Sequence, residues 1–187
     1  GWMDIIYPWH ILEANRILMA DWNQSRIDET VILKGAVQMD GPVVIEAGVT
    51  IESGSVLKGP CYIGRDSYIG NNVLIRENTF LGAGSMVGYG CELKNSMAFG
   101  RNDIGRLSFI GDSVLGAETR LGPGLTTVNH LPNFSPVHCE IEGENVNTGL
   151  SKLGAFIGDE VQVGARHTLA PGCIVPVAEQ VPDNITL

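Results

Sequence analysis

Residues 57–93 read LKGPCYIGRDSYIGNNVLIRENTFLGAGSMVGYGCEL, and a large apolar residue recurs at every sixth position from Leu57 to Leu93. The same spacing covers twelve positions in all, from Leu33 to Phe99. Two turns of an α-helix take about 7.2 residues, so a helix would not keep these residues on one side. The regularity also argues against a β-sandwich, whose turns come at irregular intervals. The spacing therefore predicts a repeated β structure with all twelve residues inward.

A smaller residue follows each large one by four positions, as at Cys61, Ser67, Val73 and Ser85. Met97 breaks this rule. Beyond Phe99 the spacing alternates between five and six residues up to Leu121, and it resumes at Ile157. One large and one small inward residue per repeat suits a narrow prism of short strands. About seven coils would make a prism roughly 34 Å long.

Two segments lack the six-residue spacing. Residues 1–30 predict a helix of about three turns, with Pro8 in its first turn and the apolar residues Trp9, Leu12, Ile11, Ala14 and Leu18 along it. Residues 130–154 predict an inserted loop, with a hairpin centred near Gly143. We therefore divide the chain into a helical tail with its linker (residues 1–30) and a β-helix domain (residues 31–187).

Composition limits the functions open to this chain. The 187 residues carry a net charge of −9, which disfavours binding to nucleic acid phosphates. No apolar run is long enough to span a membrane, and no signal peptide is present. The four cysteines form no CxxC pair, so we expect reduced thiols, no metal site and a cytoplasmic location. The chain starts at Gly1 and not at Met, so we also expect an upstream part.

Three stretches resemble a known family: YPWHILEAN (7–15), SFIGDSVLGAETRLGPGLTTVN (108–129) and NTGLSKLGAFIGDEVQVGARHTLAPG (147–172). They resemble the C-terminal hexapeptide-repeat acetyltransferase domain of bifunctional sugar-1-phosphate nucleotidylyltransferase/glucosamine-1-phosphate N-acetyltransferases, especially archaeal-type members. The resemblance implies a left-handed parallel β-helix, although general crossover rules would favour the opposite hand. It also implies a homotrimer, acetyl-CoA as co-substrate, a sugar phosphate bound between neighbouring prisms, and an upstream uridylyltransferase domain.

The same resemblance implies roles for individual residues. Arg76 and Lys94 match a basic pair that holds the sugar phosphate, and a guanidinium with an ammonium suits a dianion. Asn129 matches a substrate-binding asparagine, and Lys152 matches a loop lysine that approaches a neighbouring subunit's site. Ala165 falls where backbone atoms line the CoA channel. Arg76 and Lys94 also have an ordinary alternative as solvated surface charges, and Asn129 as a turn residue.

Four positions depart from the family pattern. Arg106 stands in place of the histidine that acts as general base, and a guanidinium does not release its proton near neutral pH. Phe109 replaces a tyrosine, and Arg120 replaces an asparagine near the substrate. Pro123 lies at the middle of a GAG-type motif and has no N–H to donate to a thioester oxygen. His130, next to Asn129, is the best candidate for a substitute base.

Two hypotheses follow from these residues. In the first, the domain transfers an acyl group from a CoA thioester to an amino-sugar phosphate, with catalysis impaired by Arg106. In the second, it is a noncatalytic module that trimerises the upstream enzyme or binds a sugar phosphate or nucleotide, with Arg76, Lys94, Arg106 and Arg120 forming a basic pocket.

Overall fold

In a computed structural model of the protein, residues 3–184 are described, and they form one helix and a long series of short strands. In chain order the elements are α1 (His10–Met19), β1 (Arg26–Ile27), β2 (Ile32–Leu33), β3 (Gln38–Asp40), β4 (Val43–Ile45), β5 (Thr50–Ile51), β6 (Val56–Lys58), β7 (Cys61–Ile63), β8 (Tyr68–Ile69), β9 (Leu74–Ile75), β10 (Thr79–Leu81), β11 (Met86–Val87), β12 (Glu92–Lys94), β13 (Met97–Ala98), β14 (Asp103–Ile104), β15 (Phe109–Gly111), β16 (Val114–Leu115), β17 (Arg120–Leu121), β18 (Thr126–Thr127), β19 (His138–Ile141), β20 (Glu144–Asn147), β21 (Phe156–Ile157), β22 (Gln162–Val163), β23 (Thr168–Leu169), β24 (Ile174–Val175) and β25 (Gln180–Val181).

Three parallel sheets make the walls of a prism. Wall A holds β1, β4, β7, β10, β13, β16, β21 and β24; wall B holds β2, β5, β8, β11, β14, β17, β22 and β25; wall C holds β3, β6, β9, β12, β15, β18 and β23. Each strand pairs in parallel with the strand one coil away. The predicted fold is confirmed: the chain is an all-β, left-handed parallel β-helix with a short N-terminal helix and one long insert.

The six-residue spacing fills the interior of the prism. Ile45, Ile51, Leu57, Ile63, Ile69 and Ile75 lie fully buried on successive walls, and the series continues through Leu81, Val87 and Leu93. Burying a side chain of this size stabilises the fold by about 1.5–3 kcal/mol. Cys61 and Cys91 occupy the small inward positions, as expected, and Cys173 packs against the same core.

Two residues predicted to be buried inside the prism are exposed. Phe99 is 49% exposed, while Ala98 beside it is 3% exposed and aligns with Leu81 and Leu115. The step from wall C to wall A therefore shortens to five residues after Leu93, and Ser96 becomes the small inward residue that Met97 did not provide. Leu33 is 44% exposed because it lies in the first strand of wall B, at the end of the prism.

Helix α1 and the insert cover the outer face of wall A. Leu12 of the helix, Val114 and Phe156 of the wall, and Val137 and Leu153 of the insert form a second apolar cluster. The sequence left open which face of the helix packs: Leu18 is 74% exposed, whereas Leu12, Asn15 and Met19 are buried. The reason is that the wall contacts a strip at every third or fourth residue from Trp9, and Leu18 lies off that strip.

The predicted hairpin is present in the insert, where β19 and β20 pair antiparallel. Its two turn residues, Glu142 and Gly143, have φ values of 52° and 82°, as a tight two-residue hairpin turn requires. The first strand of the prism, β1, begins at Arg26, ahead of the division placed at residue 31. No helix among residues 3–184 is long and apolar enough to cross a membrane.

Candidate functional site

A ladder of polar side chains runs along the edge where wall C turns into wall A, called here the CA corner. Asn95 Nδ2 donates to Asp112 Oδ1 at 2.7 Å, and Asn129 Nδ2 donates to Asp112 Oδ2 at 2.6 Å. Asn95 and Asp112 have φ values of 44° and 50°, a backbone region that Asn and Asp tolerate better than most residues. The corner thus places a 5% exposed carboxylate between two amides.

Lys94 and Arg76 reach the same corner from wall C. Lys94 ends β12, and its ammonium lies 3.8 Å from Asp112 Oδ2. Arg76 lies one coil earlier, and its guanidinium pairs with Glu92 at 3.0 Å and more loosely with Glu77 at 3.7 Å. The structure therefore brings Lys94 and Asn129 to one carboxylate, with Arg76 stacked beneath Lys94.

Lys152 lies on the wall A side of this ladder. It lines a cavity of about 450 Å³ between helix α1, the end of the insert and the CA corner. Asn95 and Asp112 form one side of this cavity, and His10 and Arg16 of the helix form another. Lys152 and Asp112 thus line one cavity, and Lys94 lies 3.8 Å from the same carboxylate.

His130 begins the insert directly after Asn129. Its ring stacks on Phe134 with a centroid distance of 4.8 Å, and Nδ1 lies 3.2 Å from the carbonyl oxygen of Leu131. The side chain is half-buried. Both contacts are with the insert itself, so they hold the imidazole against its own loop.

Arg106, Pro123 and Ala165 stack at a different edge, where wall B turns into wall C, called here the BC corner. The N–H of Gly124 donates to the Arg106 carbonyl, and the N–H of Arg166 donates to the Pro123 carbonyl. Arg106 and Pro123 are exposed. Within one chain these residues are separated from the CA corner by the strands of wall C.

Phe109 lies on wall C between the two corners, and its ring covers Gly111: a Cβ on that glycine would come within 2.6 Å of the ring and 3.0 Å of the Asn129 amide. Arg120 lies elsewhere. It is exposed on wall B, opposite Asp103 and Gln162 in the adjacent coils. The three arginines and one lysine of the basic-pocket hypothesis therefore do not converge within one chain.

Sequence reasoning missed Asp112 and Asn95 as members of this arrangement. Asp112 lies in the stretch at 108–129 that carries the resemblance to the family, but no role was assigned to it. The available signal was the interval of 17 residues that separates Asn95, Asp112 and Asn129, since this is the length of one coil after the shortened corner. Equal spacing by a coil length places side chains directly above one another.

Comparisons with known proteins agree with the stretches that suggested the family. A family model described as "GMPPB C-terminal domain" matches residues 57–185. A bifunctional sugar-1-phosphate nucleotidylyltransferase/acetyltransferase of Sulfurisphaera tokodaii is 34% identical over 175 residues, which cover 91% of this chain and 42% of that protein. A protein named bifunctional protein GlmU of Methanocaldococcus jannaschii is 37% identical over 174 residues, covering 91% and 41%. The chain thus spans less than half the length of these curated relatives.

Among solved structures, the acetyltransferase domain of PglB from Neisseria gonorrhoeae is 12% identical, with a TM-score of 0.44 over 94% of this chain and 62% of that one.

Proposed function

This chain belongs to the family described as the GMPPB C-terminal domain, and from that premise we propose that it binds an amino-sugar phosphate and acetyl-CoA with impaired acetyl transfer. The chain is acetyltransferase-like, as its relatives' names indicate. The observation that carries the proposal is the alignment of Arg76, Lys94 and Asn129 along one corner, with Arg76 one coil before Lys94 and Asn129 two coils after it. This arrangement offers a guanidinium, an ammonium and an amide to one phosphorylated sugar.

The impairment follows from the BC corner. Arg106 cannot accept the proton that an attacking amine must lose, and Pro123 has no N–H to donate to the thioester oxygen. Loss of a general base lowers the rate about 10²–10⁴-fold, and loss of an oxyanion donor about 10²–10³-fold. His130 is the proposed substitute base, although in this structure its ring is held by Phe134 and Leu131.

A homotrimer is part of the same proposal. The six residues from Arg106 to Asp112 span roughly 15–20 Å along wall C, so the two corners of one chain are far apart. An exposed apolar patch lies beside the BC corner, called here the BC patch: Tyr68, Met86, Tyr89 and Leu107 are 37%, 52%, 52% and 61% exposed. Such a patch favours a protein interface, and a neighbouring prism packed there would bring its CA corner towards Arg106 and Ala165.

The test is an acetyl-CoA consumption assay with glucosamine-1-phosphate, combined with calorimetry of the same sugar phosphate. We expect slow turnover, and we expect Lys94→Ala to weaken sugar-phosphate binding at least about tenfold, since it removes a charged hydrogen-bond donor. Lys34→Ala is the matched control, because Lys34 pairs with Glu52 at 2.7 Å near the far end of the prism. If the two variants bind the sugar phosphate with equal affinity, Lys94 does not belong to the binding site.

The alternative function is a noncatalytic module of a sugar-1-phosphate nucleotidylyltransferase. Arg106 and Pro123 favour it, because both substitutions act on the transfer step and leave the wall C cations in place. In that case sugar phosphate binds with no acetyl-CoA consumption at any pH. Measurable turnover that disappears with Lys94→Ala excludes it.

A further inference from the structure

The cavity lined by Lys152 is closed on one side by helix α1, which belongs to the segment before the β-helix. Its volume of about 450 Å³ lies in the range of small-molecule sites. Leu12 and Leu153 contribute apolar floor, and the polar groups come from three separate segments of chain. The acyl-transfer proposal uses none of the helix residues, so this cavity needs an explanation of its own.

The CA corner presents a carboxylate with spare acceptor capacity to this cavity. A carboxylate offers about four lone-pair positions, and Asp112 accepts only two amide hydrogen bonds; Lys94 Nζ, at 3.8 Å, is beyond hydrogen-bonding distance. Asn95 Oδ1 also has no hydrogen-bond partner among the described residues, but it is fully enclosed, so the open acceptor is Asp112, which lines the cavity.

The opposite side of the cavity supplies donors. Arg16 pairs with Glu13 at 2.9 Å, which leaves further guanidinium N–H groups available. His10 Nδ1 accepts the backbone N–H of Ile6 at 3.2 Å, so the neutral ring carries its proton on Nε2 and can donate. Lys152 adds an exposed ammonium. The cavity thus has an acceptor end and a cationic end.

We propose that this cavity is a second ligand site, which shares only Asp112 with the Arg76–Lys94 site, and that it binds a small zwitterion such as an amino-sugar phosphate. The ligand's amine lies against Asp112, and its phosphate lies against Arg16, His10 and Lys152. Because α1 forms the cationic end, a bound ligand holds the helix against the β-helix.

The experiment measures binding to this chain by calorimetry in an Arg76→Ala background, which weakens the wall C site. Glucosamine-1-phosphate is the probe, and glucose-1-phosphate, which lacks the amine, is the comparison ligand. We expect glucosamine-1-phosphate to bind the Arg76→Ala protein at least about tenfold more tightly than glucose-1-phosphate, because only the amine makes a charged hydrogen bond with Asp112. Adding Asp112→Asn should remove that preference.

Arg16→Ala tests the cationic end without touching the ladder, and should weaken both sugar phosphates by a similar factor. Arg101→Ala is the matched control, because Arg101 also pairs with one glutamate, Glu118, but on a different edge of the prism. The proposal is overturned if Arg16→Ala and Arg101→Ala have the same affinity for the sugar phosphates. It is also overturned if Asp112→Asn weakens glucosamine-1-phosphate and glucose-1-phosphate equally, or if Arg76→Ala alone abolishes binding. The last outcome leaves the acyl-transfer site standing and removes only the second one.

Discussion

At the scale of single residues, the proposed impairment of acetyl transfer depends on Arg106 at the BC corner and Phe109 on wall C. We predict that Arg106→His with Phe109→Tyr raises the kcat/KM for acetyl transfer to glucosamine-1-phosphate by about 10²-fold or more, because a general base is restored. The measurement is thiol release from acetyl-CoA, with and without the sugar phosphate.

Pro123→Ala is the companion variant, since it restores only the backbone N–H. If the Arg106→His, Phe109→Tyr variant shows no acetyl transfer and becomes active only when Pro123→Ala is added, the missing oxyanion donor limits the rate. If all combinations stay silent while sugar phosphate still binds, the noncatalytic alternative is correct.

The cysteines give a second prediction at this scale. Burial raises the pKa of Cys61 to about 12 and that of Cys139 to about 11. Only the thiolate reacts, so at pH 8 no more than about one in 10³ of either group is reactive, and the fraction rises with pH. We expect Cys173, the one half-buried cysteine, to react first with a disulfide reagent, and Cys61 and Cys139 to react only on unfolding. Mass spectrometry of labelled peptides gives the order, and fast labelling of Cys61 in the folded protein would contradict it.

Some residue positions could be predicted from sequence and others could not, for a physical reason. Ile75 and Leu81 follow a strict period, so their inward direction was predictable. Phe99 fitted the same period but lies outward, because a corner that loses one residue shifts every later side chain by one place. The partners of Asp112 depend on that same shift. Contacts between coils are set by the exact coil length, which a six-residue period alone does not give.

At the scale of elements, helix α1 is attached to the prism through a narrow strip. We predict that Leu12→Ala, at a 5% exposed position in the cluster with Val114 and Phe156, lowers the free energy of unfolding by about 2–5 kcal/mol. Leu18→Ala is the control on the same helix: it is 74% exposed and should change stability by no more than about 0.5 kcal/mol. Urea unfolding followed by circular dichroism measures both, and equal effects would mean that the helix does not pack as described.

The element scale also explains why the sequence predicted the helix but not its orientation. Trp9, Leu12, Ile11 and Leu18 are all apolar, so the pattern allowed more than one buried face. Asn15 lies on the buried strip, and its amide donates to the Asn78 carbonyl at 2.8 Å. The partner of this buried amide is a backbone carbonyl 63 positions away in the sequence, and no local pattern reveals such a contact. The insert was easier, because Gly143 marks its turn directly.

At the scale of the whole molecule, the separation of the two corners makes self-association the decisive property. Arg106, Pro123 and Ala165 lie on one edge, Lys94 and Asn129 on another, and a ligand that needs both edges requires a second copy. The BC patch is the surface that such a copy would cover. Met86 lies in this patch directly opposite Tyr68 in the adjacent strand, and the patch continues through Tyr89 to Leu107, whose N–H donates to the Tyr89 carbonyl.

We therefore predict that the protein is a trimer in solution and that Met86→Glu converts it to a monomer, because a buried, unpaired carboxylate destabilises the interface. Ile17→Glu is the control: Ile17 is 53% exposed against 52% for Met86, but it lies on helix α1, so the trimer should persist. Light scattering after size-exclusion chromatography measures the mass of each. A Met86→Glu protein that stays trimeric would place the interface elsewhere, and a monomeric wild-type chain would refute the trimer itself. If Met86→Glu dissociates the trimer while sugar phosphate still binds through Lys94, then the CA corner binds its ligand alone and only acyl transfer requires the neighbouring chain.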